Sequence, residues 1–167
     1  PYGACLLGSF NLTRYVTEGQ FDFSLFTNDI HNVVRAMDNV IDRTIYPLKE
    51  QEKEAKNKRR MGLGITGLAN AGELCGMPYA SPEFMKFTTK VLKILRDYSY
   101  AASSTLAQEK GSFPLYKQDK YIEGEFFKTL APWVQEQIKE HGLRNSHLTS
   151  IAPTGTISLT ADNVSSG

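Results

Sequence analysis

The sequence predicts a helix-rich α/β fold, and three observations carry that prediction. Apolar residues recur at three- and four-residue spacing through two long segments, one from about Ser24 and one from Ser81. Two short apolar stretches, Ala4 to Leu12 and His147 to Pro153, read as buried strands. Each short stretch feeds a helical pattern, which is the mark of strand–helix alternation.

Taken in order, Ala4 to Leu12 gives the first strand. From Ser24 onward, Phe26, Ile30, Val33, Val34, Met37, Val40 and Ile41 form one helical face. This helix ends before Pro47, because a residue that precedes proline is pushed out of the helical region. Residues 49 to 60, KEQEKEAKNKRR, are a charged, solvated stretch, read as an exposed helix extension or loop. MGLGITGLANAG follows. The second long helix takes Ser81 as N-cap and Pro82 as its first residue. Its apolar face is Phe84, Phe87, Val91, Ile94, Leu95, Tyr98, Ala102 and Leu106, and Gly111 stops it. Residues 112 to 130 read as an irregular connection with aromatics. Ala131 to His141 makes a shorter amphipathic helix closed by Gly142. HLTSIAP is the last strand, ending at Pro153, and a helix starts near Thr154.

The composition bounds the function. Hydrophobic residues make up 41% and charged residues 22% of the 167, and the net charge is +1, without the basic excess of a general nucleic-acid or membrane-surface protein. No apolar run approaches the roughly 20 residues of a membrane helix, and no signal peptide is visible. Two cysteines, Cys5 and Cys75, are too few for a disulfide scaffold, so a reducing cytoplasm is expected. The chain opens at Pro1 without an initiator methionine and closes on Ser165-Ser166-Gly167. It is therefore expected to be a piece of a longer polypeptide, cut at both ends.

Gly62, Gly64 and Gly67 match G-x-G-x-x-G, the dinucleotide fingerprint of an oxidoreductase. That motif needs a buried parallel strand before it and an acid ending a second strand about 20 residues on. Here Lys56 to Arg60 precede it, and Pro82 and Glu83 stand at a helix start. Close packing of a strand and helix is the favoured role for these glycines. His31, His141 and His147 lack ligand spacing, so no metal is assigned. His31 reads as surface and His147 as a satisfied core histidine. IAPTGTIS, residues 151 to 158, leaves two readings open. The first-turn N–H groups, Gly155 and the hydroxyls of Thr154, Thr156 and Ser158 suit a phosphate. Equally, Thr154 can simply cap the helix, in a helical interaction module without a site.

PYGACLLGSFNL, RRMGLGITGLA, LAQEKGSFP, GLRNSHLTSIAPTGTIS and NVSSG together resemble the large, catalytic subunit of ribonucleotide reductases, in the same order and over nearly the whole chain. The resemblance implies that residues 1–167 are the later portion of a ten-stranded α/β barrel, part of an enzyme that reduces ribonucleotides through a thiyl radical. Pro153, Thr154, Gly155, Thr156 and Ile157 match the loop that holds the substrate phosphates. Cys5 matches one of two redox-active cysteines, its partner lying outside the chain, whereas Cys75 matches none and reads as core. The radical-bearing cysteine, in an N-x-C-x-E motif, is expected just upstream of Pro1. The second redox cysteine and the allosteric nucleotide site belong further upstream, and the radical-transfer tyrosines downstream. The isolated chain is accordingly expected to be inactive.

P-T-G-T-I-S resembles the cobalamin-dependent enzymes and related class I bacterial and phage sequences, and departs from the P-S-E-[ST]-S of many diiron relatives. The implied radical source is thus either adenosylcobalamin or a metal-containing radical-generating small subunit, with no cofactor held by these residues. The implied partners are a ribonucleotide, the rest of the catalytic subunit in a homodimer, and a thioredoxin- or glutaredoxin-type reductant.

Overall fold

The computed structural model describes residues 2–166, so the first residue of the opening block and the last of NVSSG lie outside the described residues. Strand β1 (Leu6–Asn11) runs through a short 3-10 turn (Leu12–Tyr15) into a small hairpin of β2 (Val16–Thr17) and β3 (Gln20–Phe21). Helix α1 (Phe23–Arg43) begins one residue before the periodicity suggested, because Asp22 caps it by accepting from the Leu25 N–H at 2.9 Å. Its buried stripe is Phe26, Ile30, Val34, Met37 and Ile41, while Val33 is half-buried and Val40 exposed.

The charged stretch forms helix α2 (Lys49–Lys58), with no residue buried and ion pairs Lys56–Glu52 and Lys58–Glu54 one turn apart. Arg59 corrects the expectation that this whole stretch is solvated, being only 3% exposed. It leaves α2 in the left-handed conformation (φ 48°) and turns the chain into β4 (Met61–Thr66). What holds it is Asp38, fully buried on α1, whose Oδ1 accepts from Arg59 Nε at 2.9 Å and Nη2 at 2.7 Å. Asn145 Nδ2 donates to the same oxygen at 3.0 Å and to the Arg59 carbonyl at 3.1 Å. On the other oxygen, Arg144 Nε lies at 3.3 Å and Lys110 Nζ at 3.5 Å. One carboxylate thus joins α1, the entry to β4, Lys110 at the end of the second long helix and the entry to the last strand-like segment.

Helix α3 (Leu68–Leu74) follows β4 directly, and α4 (Pro82–Lys110) matches its expected signals. Ser81 Oγ accepts from the Phe84 N–H at 3.1 Å, and Gly111 closes the helix at φ 81°. The connection read as irregular contains two short helices, α5 (Gln118–Ile122) and α6 (Glu125–Thr129), seated by ring contacts among Tyr116, Tyr121 and Phe127. Helix α7 (Pro132–His141) buries Val134 and Ile138 against α4, and Gly142 ends it at φ 76°.

β1 and β4 are parallel, Leu6 opposite Met61 through Asn11 opposite Thr66. A parallel pair needs a crossover, which α1 and α2 supply. One face of the pair carries Phe10, Met61, Leu63 and Ile65 into a core shared with Phe26, Ile30, Val91, Leu95 and Leu106. Each such side chain contributes roughly 1.5–3 kcal/mol when fully buried.

Residues 147–150 run along the other edge of β4. Met61 and Leu63 donate to the carbonyls of His147 and Leu148, Ser150 donates back to Leu63, and one parallel bridge joins Leu63 and Thr149. The expected buried strand through Pro153 is thereby shortened, with His147 and Ile151 exposed instead of in the core. The reason is local. After Thr149 the chain turns across the face of β4, and the Ser150 carbonyl lies where a side chain on Gly64 would be. A ladder cannot continue once the backbone has left the edge. The result is a helix-rich α/β unit with short strands, in which the sheet does not close into a barrel among the described residues. Gly64→Ala is expected to destabilise the protein by roughly 1–3 kcal/mol, since its methyl group meets backbone rather than a movable side chain. Denaturant midpoints would check this, and an unchanged midpoint would contradict the packing described.

Candidate functional site

The second face of the β1–β4 pair is built differently from the first. Gly62 and Gly64 stand where side chains would strike Leu7 Cδ2 (2.6 Å), Ser150 Cβ (2.9 Å) and the Ser150 carbonyl, and Ser9 Oγ and Cys5 Sγ lie close by. These two glycines are within the strand rather than after it, and both are covered by protein. Gly67 is the left-handed residue (φ 73°) that opens α3, and a side chain there would crowd Asn11 Oδ1 at 3.0 Å. Residues 56 to 58 are helical and Glu83 lies in the first turn of α4, so the fingerprint lacks both its open approach and its ribose acid.

Residues 153–157 lie at the carboxyl end of the same face. Thr154 is left-handed (φ 50°) and 7% exposed, and α8 (Gly155–Thr160) starts directly after it. Its side chain makes no capping bond. It donates instead to Thr66 Oγ1 at 3.3 Å, and Thr66 donates onward to the Ser165 carbonyl at 2.7 Å. Helix geometry leaves the Gly155, Thr156 and Ile157 N–H groups without intrahelical acceptors, and these three residues are exposed. Nothing stands within 4 Å of where a Gly155 side chain would begin. Ser158, by contrast, is buried, its N–H bonded to the Thr154 carbonyl at 2.8 Å and its hydroxyl to the Gly155 carbonyl at 3.1 Å. Pro153 is exposed beside the loop.

Sequence reasoning missed how this loop is anchored. Gly67 N–H donates to the Ser165 carbonyl (2.7 Å), Ser165 N–H to Asn70 Oδ1 (2.7 Å), and Asn11 Nδ2 to the Ala161 carbonyl (3.2 Å). The only signal was that NVSSG and GLGITGLAN are separate glycine-bearing blocks that each carry small polar residues, with nothing to say that they meet.

Cys5 sits at the opposite, amino-terminal end of the face. It does not touch the loop: from Gly62, beside Cys5, to Thr66, beside Thr154, β4 rises about 13 Å at ~3.3 Å per residue. Cys5 and Cys75 are both free thiols. Cys75 is half-buried at the end of α3 rather than in the core, because Gly76 turns the chain outward there. Cys5 is exposed, yet its sulfur is partly withdrawn from water. That burial pushes the thiol up, and the Arg60 guanidinium pulls it down. Among the described residues, no group of three or more His, Cys, Asp or Glu is placed to hold a metal ion, and no helix is long and apolar enough to cross a membrane.

Parallel strands joined by helical crossovers, with a small-residue loop at their carboxyl ends, define an α/β unit of the kind that binds ligands at that end. The chain belongs to the ribonucleotide reductase barrel-domain family, whose model matches residues 1–167. It is 34% identical over 161 residues to a vitamin B12-dependent ribonucleoside-diphosphate reductase of Mycobacterium tuberculosis, covering 96% of this chain and 21% of that protein. It is 36% identical over 162 residues to the enzyme of the same description from Thermoplasma acidophilum, covering 96% and 19%. A ribonucleoside-diphosphate reductase subunit alpha from Chlamydia muridarum is 32% identical over 176 residues, covering 92% and 17%. The chain thus spans about a fifth of the length of the curated relatives it matches.

Proposed function

We propose that this chain is the later portion of the barrel in a ribonucleotide reductase catalytic subunit, where residues 153–157 grip the substrate phosphates and Cys5 is one of two thiols that reduce the ribose. The observation that carries the reading is the loop itself. Three first-turn N–H groups on exposed residues, and an uncovered glycine, stand at the carboxyl ends of parallel strands, and anions bind such groups through their hydrogens and the helix dipole. The cap reading is weakened, because the Thr154 hydroxyl is directed to Thr66.

The names of the relatives favour a ribonucleoside diphosphate as substrate. They leave two radical sources, adenosylcobalamin or the small subunit that the name subunit alpha implies. Either source would supply the thiyl radical that opens the ribose chemistry. The work of these residues is to hold the phosphates and to deliver electrons as Cys5 passes from thiol to disulfide. A thioredoxin- or glutaredoxin-type dithiol would restore it.

Nucleotide titration of the full-length enzyme tests the loop. Thr156→Val is expected to weaken binding by about 0.5–1.5 kcal/mol, because the backbone donors survive. Gly155→Val meets open space in the fold and should leave thermal unfolding unchanged. It should nevertheless weaken nucleotide binding by more than the hydroxyl loss, since its methyl groups enter the volume the phosphate would use. Wild-type affinity in Gly155→Val would sink the reading.

A further inference from the structure

Cys5 and Arg60 lie side by side at the amino-terminal end of the parallel pair, each one residue before Leu6 and Met61 in the register. Both line a cavity of about 170 Å³ whose walls include Leu6, Val40, Ile41 and Ala55. Such apolar walls strengthen any charge interaction within. Arg60 is only partly committed elsewhere. Its Nη2 donates to Glu54 Oε1 at 3.0 Å, while its Nε is buried without a hydrogen-bond partner.

The charged and titratable groups facing the thiol are few. α1 contributes none, and Tyr46, just beyond it, adds a phenol to the cavity. α2 contributes Glu54, which is shared between Arg60 and Lys58. On the other edge of β4, His147 is exposed as a residue, yet partial desolvation of its ring and then Arg60 and Lys58 push it below its ordinary value. Among the described residues the cation that acts on the thiol is thus Arg60, which is also bonded to Glu54.

Resting on the reading of Cys5 as a redox thiol, we infer that Arg60 is its electrostatic positioning partner, stabilising the Cys5 thiolate released when a dithiol re-reduces the disulfide. The step balances as a thiol–disulfide exchange. One thiolate of the dithiol attacks the sulfur of the second cysteine. The S–S bond breaks and its electron pair leaves on Cys5 as a thiolate. The second thiolate of the dithiol then displaces the second cysteine from the mixed disulfide. The dithiol has lost two electrons and two protons, and the protons pass through solvent to the two cysteines. A lower-pKa thiol leaves faster, so a cation beside Cys5 speeds the first displacement.

The test uses full-length enzyme with three readouts. These are the deoxynucleotide burst of pre-reduced enzyme without dithiol, the turnover rate at limiting dithiol, and the pH profile of Cys5 alkylation by iodoacetamide, read by mass spectrometry. Arg60→Gln is expected to keep the burst, slow re-reduction roughly three- to tenfold and move the alkylation profile up by about one pH unit. Glu54→Gln, which frees the guanidinium, should move the profile down, and a purely structural role for Arg60 predicts no such opposition. If Arg60→Gln does not fold, the direction of the Glu54→Gln shift decides. An unmoved or upward profile in Glu54→Gln, or wild-type re-reduction in folded Arg60→Gln, would overturn the inference. Wild-type turnover in Cys5→Ser would instead sink the underlying reading of Cys5.

Discussion

Cys5→Ser in the full-length enzyme is expected to bring dithiol-supported turnover to background, a loss of at least about a hundredfold, because a serine hydroxyl cannot form or exchange a disulfide. Nucleotide affinity should stay near wild type, since Cys5 lies about 13 Å of strand away from the loop proposed to hold the phosphates. Cys75→Ser serves as the control. Cys75 is half-buried at the end of α3, on no part of the strand face, and its loss should leave activity close to wild type. Deoxynucleotide formation measured beside nucleotide titration separates these outcomes. Retained turnover in Cys5→Ser, or a Cys5–Cys75 disulfide in the active enzyme, would contradict the assignment.

The largest effect on stability is expected at Asp38. Asp38→Ala should cost about 3–5 kcal/mol, because it leaves Arg59, a 3% exposed cation, without its main counter-charge and removes acceptors for Asn145 and Arg144. Asp42 also bonds Arg59, at 2.7 Å, but its side chain is 42% exposed. Arg59 holds the Asp42 carboxyl below its usual range. Asp42→Ala should nevertheless cost under about 1 kcal/mol, as water replaces much of what is lost. Chemical denaturation of both variants checks the ratio. Equal losses would mean that the buried oxygen is not the hub it is described as.

Much of this architecture was legible in the residues. Ser81, Pro82 and Gly111 fix α4 through local chemistry that needs no tertiary partner, and the α1 stripe follows from helical spacing. The small helices between 118 and 129 were not legible, because each is five residues long and held by ring packing rather than by periodicity. Arg59 was hidden inside a run of charge. The clue was Asp38, which falls between Met37 and Ile41 on the buried stripe and therefore needs a cation brought to it. At the candidate site, the chemistry of Thr154 to Ser158 could be read from the residues. The turn of Thr154 toward Thr66 could not, since it depends on Ser150 crossing β4 at a glycine.

The Asp38 hub also sets an order in time. Asp38 meets Arg59 across 21 residues, but Asn145, which bonds both, lies 107 residues from Asp38 and 86 from Arg59. On a ribosome elongating at ~5–20 residues per second, roughly 4–17 seconds pass between the synthesis of Arg59 and that of Asn145. Through that interval the Met61 and Leu63 N–H groups have not yet met the carbonyls of His147 and Leu148, and one edge of a strand that the folded protein buries at every residue stands open. The nascent chain should be most prone to aggregate, and most in need of a chaperone, after β4 has emerged and before residue 148 has.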